Sequence, residues 1–179
     1  MSRYRVSRRI EIDAAHRIPD HRSQCRHLHG HRYVIEAVCE ATELHQSGGE
    51  RGMVVDFGFL SDLMRREIDA YCDHGLIVTI DDHELLACLA PASDGNDDWR
   101  RRLNEAVARD GYAVDEANAL AGRLYVIAEP PTAEVLAAHW FHRLAPRVAE
   151  ISDGSAAVVE VIVWETPNCW ASYRPSSER

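Results

Sequence analysis

Apolar and polar positions alternate over residues 4–16, YRVSRRIEIDAAH. Ile10, Ile12, Ala14 and His16 fall on one side, with Glu11, Asp13 and Ala15 on the other. A period of two predicts a half-buried β-strand. A polar connection rich in Arg and His follows at 17–28. HRYVIEAVCEAT (31–42) then reads as a second strand, with aromatic and β-branched residues at its start. Residues 46–52 hold three Gly and predict a turn before a short apolar run at 53–55.

The period then lengthens. Phe57, Leu60, Met64, Ile68 and Tyr71 recur at spacings of 3, 4, 4 and 3, which gives one apolar face to a helix over 57–71 with Asp56 as its N-cap. A second helix starts near Thr132, behind Pro131, with Leu136, Trp140, Leu144 and Val148 four apart. Two strands, 157–165 and 170–174, close the chain around a turn at 166–169. Between the helices lies a less regular insert, 79–129. It offers helical pieces at 81–90, 97–109 and 115–122, a polar loop at 94–98, and an extended RLYVIA at 123–128. Strand, strand, helix, insert, helix, strand, strand predicts a single α+β domain over 1–179, with helices on one face of an antiparallel sheet.

Composition narrows the function classes. Of 179 residues, 46% are hydrophobic and 27% charged, as in ordinary soluble globular proteins. The net charge is -9, and all 20 basic residues are Arg. An acidic balance argues against a nucleic-acid partner. The missing Lys removes Schiff-base chemistry and a P-loop lysine. No apolar run is long enough to span a membrane. Five Cys and no secretory signal predict thiols in a reducing cytoplasm. Cys39, Cys72, Cys88 and Cys169 are expected to pack as small hydrophobes.

Ten His occur in the chain, and five of them fall in 16–31: His16, His21, His27, His29 and His31. In an extended segment His29 and His31 point to the same side, and Gly30 between them permits close backbone approach. His16 ends the preceding strand on its apolar face. Antiparallel pairing of the two strands would bring all three imidazoles together, and three His with an open position describe a catalytic zinc site. His21 and His27 read as solvated loop residues. His139 and His142, three apart on the second helix, flank its apolar stripe and lack a third ligand.

These residues also carry a likeness. AAHRIP and CRHLHGHRY, VVDF at 54–57, Asp73-His74, PT.E at 131–134 and ET at 165–166 occur in an order that resembles the 6-pyruvoyl-tetrahydropterin synthase superfamily. The spacing of Cys25, His29 and His31 is similar to that of the 6-carboxytetrahydropterin synthases of queuosine biosynthesis. The likeness covers about 1–78 and 130–174. The chain departs from the pattern at Pro130, where the family often has Asn, after His74, and in the long insert.

The resemblance implies a tunnelling fold (T-fold): a four-stranded antiparallel sheet with two helices on one face, here with a mainly helical insert, assembled as a homo-oligomer, typically a hexamer of two trimers. It implies a zinc-dependent lyase acting on 7,8-dihydroneopterin triphosphate, with 6-carboxytetrahydropterin, acetaldehyde and triphosphate as products. The alternatives are elimination of triphosphate alone, as in the 6-pyruvoyl enzymes, or a non-catalytic zinc-binding assembly protein. In the implied roles His16, His29 and His31 hold Zn²⁺. Cys25 abstracts a proton from the substrate side chain, since a thiolate forms more easily beside cations. Asp73 and His74 move protons, and meet the Cys across a subunit boundary. Glu165 grips the pterin's 2-amino group and ring N–H through two hydrogen bonds, as a carboxylate can. Thr132 is a further substrate-binding candidate that also suits a helix cap. Residues 1–40 carry eight Arg and five acids, whereas 80–129 carry five Arg and eleven acids. Arg17, Arg22 and Arg26 are therefore candidates for receiving the triphosphate. The insert is expected to decorate the rim of the assembly and to be dispensable for the fold.

Overall fold

The computed structural model describes residues 3–92 and 96–176. A long hairpin forms its centre. Strand β1 (Tyr4–His16) pairs antiparallel with β2 (His29–Ala41) over its whole length, with Ile10 opposite Ile35 and Ile12 opposite Tyr33. The helix after Asp56 starts as expected, with the Asp56 carboxylate accepting from the Phe59 N–H at 2.9 Å. It runs as α1 (Phe57–Met64), a π-helical turn (Arg65–Asp69) and the short α2 (Ala70–Cys72). Helix α5 (Ala133–Ile151) begins at the Thr132 N-cap, whose Oγ1 accepts from the Val135 N–H at 3.3 Å. Strands β6 (Ala157–Thr166) and β7 (Cys169–Tyr173) close the chain, with β6 against β2.

The sheet is larger than the four antiparallel strands expected. It has seven strands in the order β4-β5-β3-β1-β2-β6-β7 and is mixed. Strand β3 (Gly75–Thr79), which follows His74 directly, runs parallel to β1, and β5 (Leu124–Ile127) runs parallel to β3. Strand β4 (Tyr112–Asp115) forms the edge. The insert supplies β4 and β5 at one end of the sheet, so it is not helical alone. Its helical pieces reduce to α3 (His83–Leu89) and α4 (Asn96–Asp110). The helix expected at 115–122 is absent, since 112–115 extend as a strand and Asn118 holds a turn through the Gly122 carbonyl at 2.6 Å. Of the polar loop expected at 94–98, residues 94 and 95 lie outside the described residues, and 96–98 are the first turn of α4.

Nor is the insert a rim decoration. Strand β5 is buried on both faces. Tyr125 and Ile127 join Ile12, Tyr33, Leu60, Trp140 and Val161 in the main core under α1 and α5. Leu124 and Val126 point the other way, into a second core with Val78, Leu86, Trp99 and Leu103. Two buried faces remove the alternation that marks a half-exposed strand, which is why this segment gives a continuous apolar run instead. The expectation for the other thiols is also corrected in part. Cys39 and Cys72 are buried, but Cys88 and Cys169 are exposed.

Candidate metal centre and active site

The antiparallel register places His16 opposite His29 and Ala14 opposite His31, so all three imidazoles emerge on the core side of one ladder. Gly30 permits this closeness: a Cβ there would meet the Ala14 carbonyl oxygen at 3.1 Å. One ligand nitrogen from each of His16, His29 and His31 lies within 4.8 Å of the others. His16 Nδ1 donates to the Pro131 carbonyl at 2.8 Å, and His29 Nδ1 donates to the His27 carbonyl at 2.7 Å. A neutral imidazole that donates through Nδ1 presents a lone pair at Nε2. The two Nε2 atoms face each other at 3.2 Å. Two lone pairs at that distance repel, and a cation between or beside them removes the repulsion. Backbone carbonyls that fix the tautomer are the usual outer partners of metal-bound His. Three nitrogens with an open side fit zinc.

Burial favours the neutral ring at His16 and His31. Burial pushes the His16 imidazole down to about 4, and its two histidine neighbours add to this against the Pro131 bond. Burial also lowers His31, opposed by the Glu165 carboxylate. Glu165, near the end of β6, holds Oε1 4.0 Å from His16 Nε2. Tyr33 stands edge-on to both His16 and His31, with ring centroids 5.7 and 5.4 Å away. Its hydroxyl is buried and has no hydrogen-bond partner among the described residues. Burial raises the pKa of that hydroxyl, and the Glu165 carboxylate and Cys25 push it further up. Cys25 therefore sits within electrostatic reach of this cluster. It is half-buried in a single 3-10 turn (Gln24–Arg26), and its carbonyl accepts from the Ile18 N–H at 2.8 Å to close the loop. Thr132 caps α5 next to Pro131, so the element that carries Thr132 also orients His16.

Asp73 and His74 form a second group, tied to β1 at Asp13. Adjacent residues seldom face each other, yet His74 Nδ1 and Asp73 Oδ2 are 2.7 Å apart. The left-handed backbone of His74, at φ 53°, makes the contact. Asp73 Oδ1 also accepts from the Asp13 N–H at 2.9 Å, and the His74 N–H donates to the Asp13 carbonyl at 2.7 Å. The Asp73 hydrogen bond raises the exposed imidazole above the ordinary histidine range. Partial burial tends to raise the Asp73 carboxyl, but the Asp13 N–H and His74 outweigh it and hold it low. His31 and His74 share the lining of a shallow depression of about 520 Å³ on the sheet. Among the described residues no hydrogen bond or ion pair joins the Asp73–His74 pair to the triad or to Cys25.

One site expectation is corrected. Arg17 is not free to receive a triphosphate: its guanidinium grips the buried Asp82 carboxylate at 2.5 and 2.6 Å, with Glu84 at 3.6 Å. Asp82 caps α3, so the insert neutralises Arg17, a long-range pairing that local charge counting does not register. Arg22 and Arg26 are exposed. His139 is a packing residue, bonded to the Tyr125 hydroxyl at 2.7 Å and lowered to about 4 by burial. Sequence reasoning missed Tyr33 and Arg123. Tyr33 was within reach, because it lies two residues beyond His31 on the same strand face. Arg123 carried no signal, since only the parallel pairing of β3 with β5 brings it to the Asp73 carbonyl.

Comparison with known proteins bears on this arrangement. The family model described as 6-pyruvoyl tetrahydropterin synthase matches residues 5–176. A protein of Rickettsia conorii named 6-carboxy-5,6,7,8-tetrahydropterin synthase is 32% identical over 166 residues, 93% of this chain and 96% of the relative. One of the same name from Haemophilus influenzae is 23% identical over 171 residues, 96% of this chain and 99% of its own. Among solved structures, an uncharacterized protein of Wolinella succinogenes superposes with a TM-score of 0.71 at 21% identity, covering 97% of this chain and 99% of that one. The 6-pyruvoyl tetrahydropterin synthase of Caenorhabditis elegans gives 0.57 at 19% identity, covering 98% of both chains. At these identities the structures speak for the fold.

Proposed function

Because the chain belongs to the 6-pyruvoyl tetrahydropterin synthase family, we propose that it is a 6-carboxytetrahydropterin synthase. In this reading it is a lyase that converts 7,8-dihydroneopterin triphosphate and one water to 6-carboxy-5,6,7,8-tetrahydropterin, acetaldehyde and triphosphate, on the route to queuosine. The facing Nε2 lone pairs of His16 and His29 at 3.2 Å, beside His31, carry the reading, because such a set asks for a cation. Bound at these three rings, Zn²⁺ would supply a Lewis acid that makes the substrate's side-chain hydroxyls more acidic. Glu165 fixes the pterin by accepting from its 2-amino group and ring N–H, and Thr132 lines the same end of the site. Cys25 takes a proton from the substrate side chain as general base. The Asp73–His74 pair relays protons near neutral pH, with Asp73 holding the imidazole by Nδ1.

Among the described residues no hydrogen bond or ion pair joins Asp73–His74 to Cys25, and this favours a site completed by a second copy, in a homo-oligomer of the hexameric, two-trimer kind. No helix among the described residues is long and apolar enough to cross a membrane. Five free thiols suit a cytoplasmic setting. The decisive assay incubates zinc-loaded protein with 7,8-dihydroneopterin triphosphate and identifies the products by mass. Acetaldehyde with 6-carboxytetrahydropterin is expected. 6-Pyruvoyl-tetrahydropterin without acetaldehyde would reassign the reaction, and unreacted substrate would remove the enzymatic reading.

A further inference from the structure

We propose that Arg123, delivered by the insert, is the positioning residue of the Asp73–His74 pair; this rests on the reading of that pair as the proton relay. The link from α2 to β3 is only two residues long, and it must turn the chain while pairing two adjacent side chains. It does so with His74 in the left-handed region, at φ 53°. A non-glycine residue in that conformation is strained and persists only where its surroundings fix it. Four backbone contacts do so. The His74 N–H donates to the Asp13 carbonyl at 2.7 Å, and the Asp13 N–H donates to Asp73 Oδ1 at 2.9 Å. Arg123 Nη1 donates to the Asp73 carbonyl at 2.6 Å, and the Arg123 carbonyl accepts from the Leu76 N–H at 2.9 Å. Arg123 thus brackets the pair, holding the residue before His74 with its side chain and a residue after it with its backbone. Gly75 lets it come this close, since a Cβ there would meet the Arg123 carbonyl oxygen at 3.1 Å and its Cβ at 3.4 Å. The insert therefore reaches the relay as well as the core.

The charges around His74 make this testable by sign. Asp73 and Asp13 favour the imidazolium, and Arg123 opposes it. Arg32 faces Asp13 at 3.0 Å, and Glu116 faces Arg123 at 3.7 Å. If Arg123 acted by charge alone, its removal would raise the imidazole's pKa. If it positions the pair, its removal loosens the Asp73 contact, which is the main support of the charged ring, and the pKa falls. The experiment follows the His74 imidazole by NMR titration in the zinc-loaded protein, with the signal assigned by its loss in His74→Ala. Arg123→Ala should lower the His74 pKa toward the ordinary value and cut kcat/KM on the order of 10- to 100-fold, the scale of a misplaced catalytic group. Arg123→Lys, which keeps a donor and a charge, should restore most of both. An unchanged or raised His74 pKa in Arg123→Ala overturns the proposal. Full turnover in His74→Ala instead overturns the relay reading, and does so without touching the titration result.

Discussion

His16 and Asp13 lie three residues apart on β1, and each anchors one half of the candidate site. At His16 the three imidazoles stand on the core side of a single antiparallel ladder, buried or half-buried, and backbone carbonyls orient His16 and His29. At Asp13 the backbone ties down an exposed Asp73–His74 pair that depends on a left-handed residue and on a strand arriving from the insert. Burial favours the neutral ring at His16 and His31, whereas the pair favours the charged ring through a carboxylate. A metal site needs lone pairs and a proton relay needs a histidine that can gain and lose its proton, so the two environments suit the two tasks.

Removing a triad ligand should have the largest effect. His16→Ala, or chelation of the intact protein, is expected to abolish measurable turnover, and metal analysis should show the zinc gone with it. Cys25→Ala tests whether the neighbouring thiol belongs to the triad or to the chemistry. As a general base it should lose about 10²- to 10⁴-fold in kcat with zinc content unchanged. A fall in zinc content alongside turnover would make Cys25 a fourth ligand.

Acid separates the two halves by sign. His16 carries a pKa pushed down to about 4, so between its unfolded value near 6.5 and about 4 the unfolded chain binds more protons than the folded one. Stability of the metal-free protein should therefore fall as pH drops through that window, by on the order of 3 kcal/mol from this group. His139, also lowered to about 4, acts in the same direction. His74 is raised, so its contribution is full below its unfolded value and fades as pH rises through its folded one. Thermal melts of wild type and His74→Ala across pH should show a small difference at mildly acidic pH that closes toward alkaline pH. A difference that widens with pH would contradict the Asp73 pairing.

The same contrast explains what the sequence made legible. The triad could be read because its geometry follows from one rule: consecutive period-two strands paired antiparallel, with Gly30 between two of the ligands. Helix starts at Asp56 and Thr132 were legible for a similar reason, since a cap acts within three residues. The Asp73–His74 contact was not, because a positive φ at a non-glycine residue has no signature in composition. Strand β5 was legible only as an extended run, because burial on both faces removes its alternation, and its place beside β3 was hidden by parallel pairing between residues some 50 positions apart, such as Ile77 and Tyr125. Arg17 looked available to an anion for the same reason: Asp82, which holds it, is 65 residues away.

Tyr33 offers the smallest expected effect and the finest test of the comparison. Its ring packs against two of the triad histidines, while its hydroxyl is buried without a partner among the described residues. A buried polar group left unpaired costs roughly 1–3 kcal/mol, so Tyr33→Phe, which keeps the ring and removes only that oxygen, should leave stability unchanged or raise it by up to about 1 kcal/mol. Equilibrium denaturation of the metal-free proteins measures this directly. A clear loss of stability would mean that the hydroxyl is satisfied in solution, by water or by a shifted neighbour, and that the triad's surroundings are wetter than their burial implies. A gain in stability would mark Tyr33 as a group whose polarity serves the site and not the fold, which would set the triad's lining apart from the hydrogen-bonded surroundings of His74.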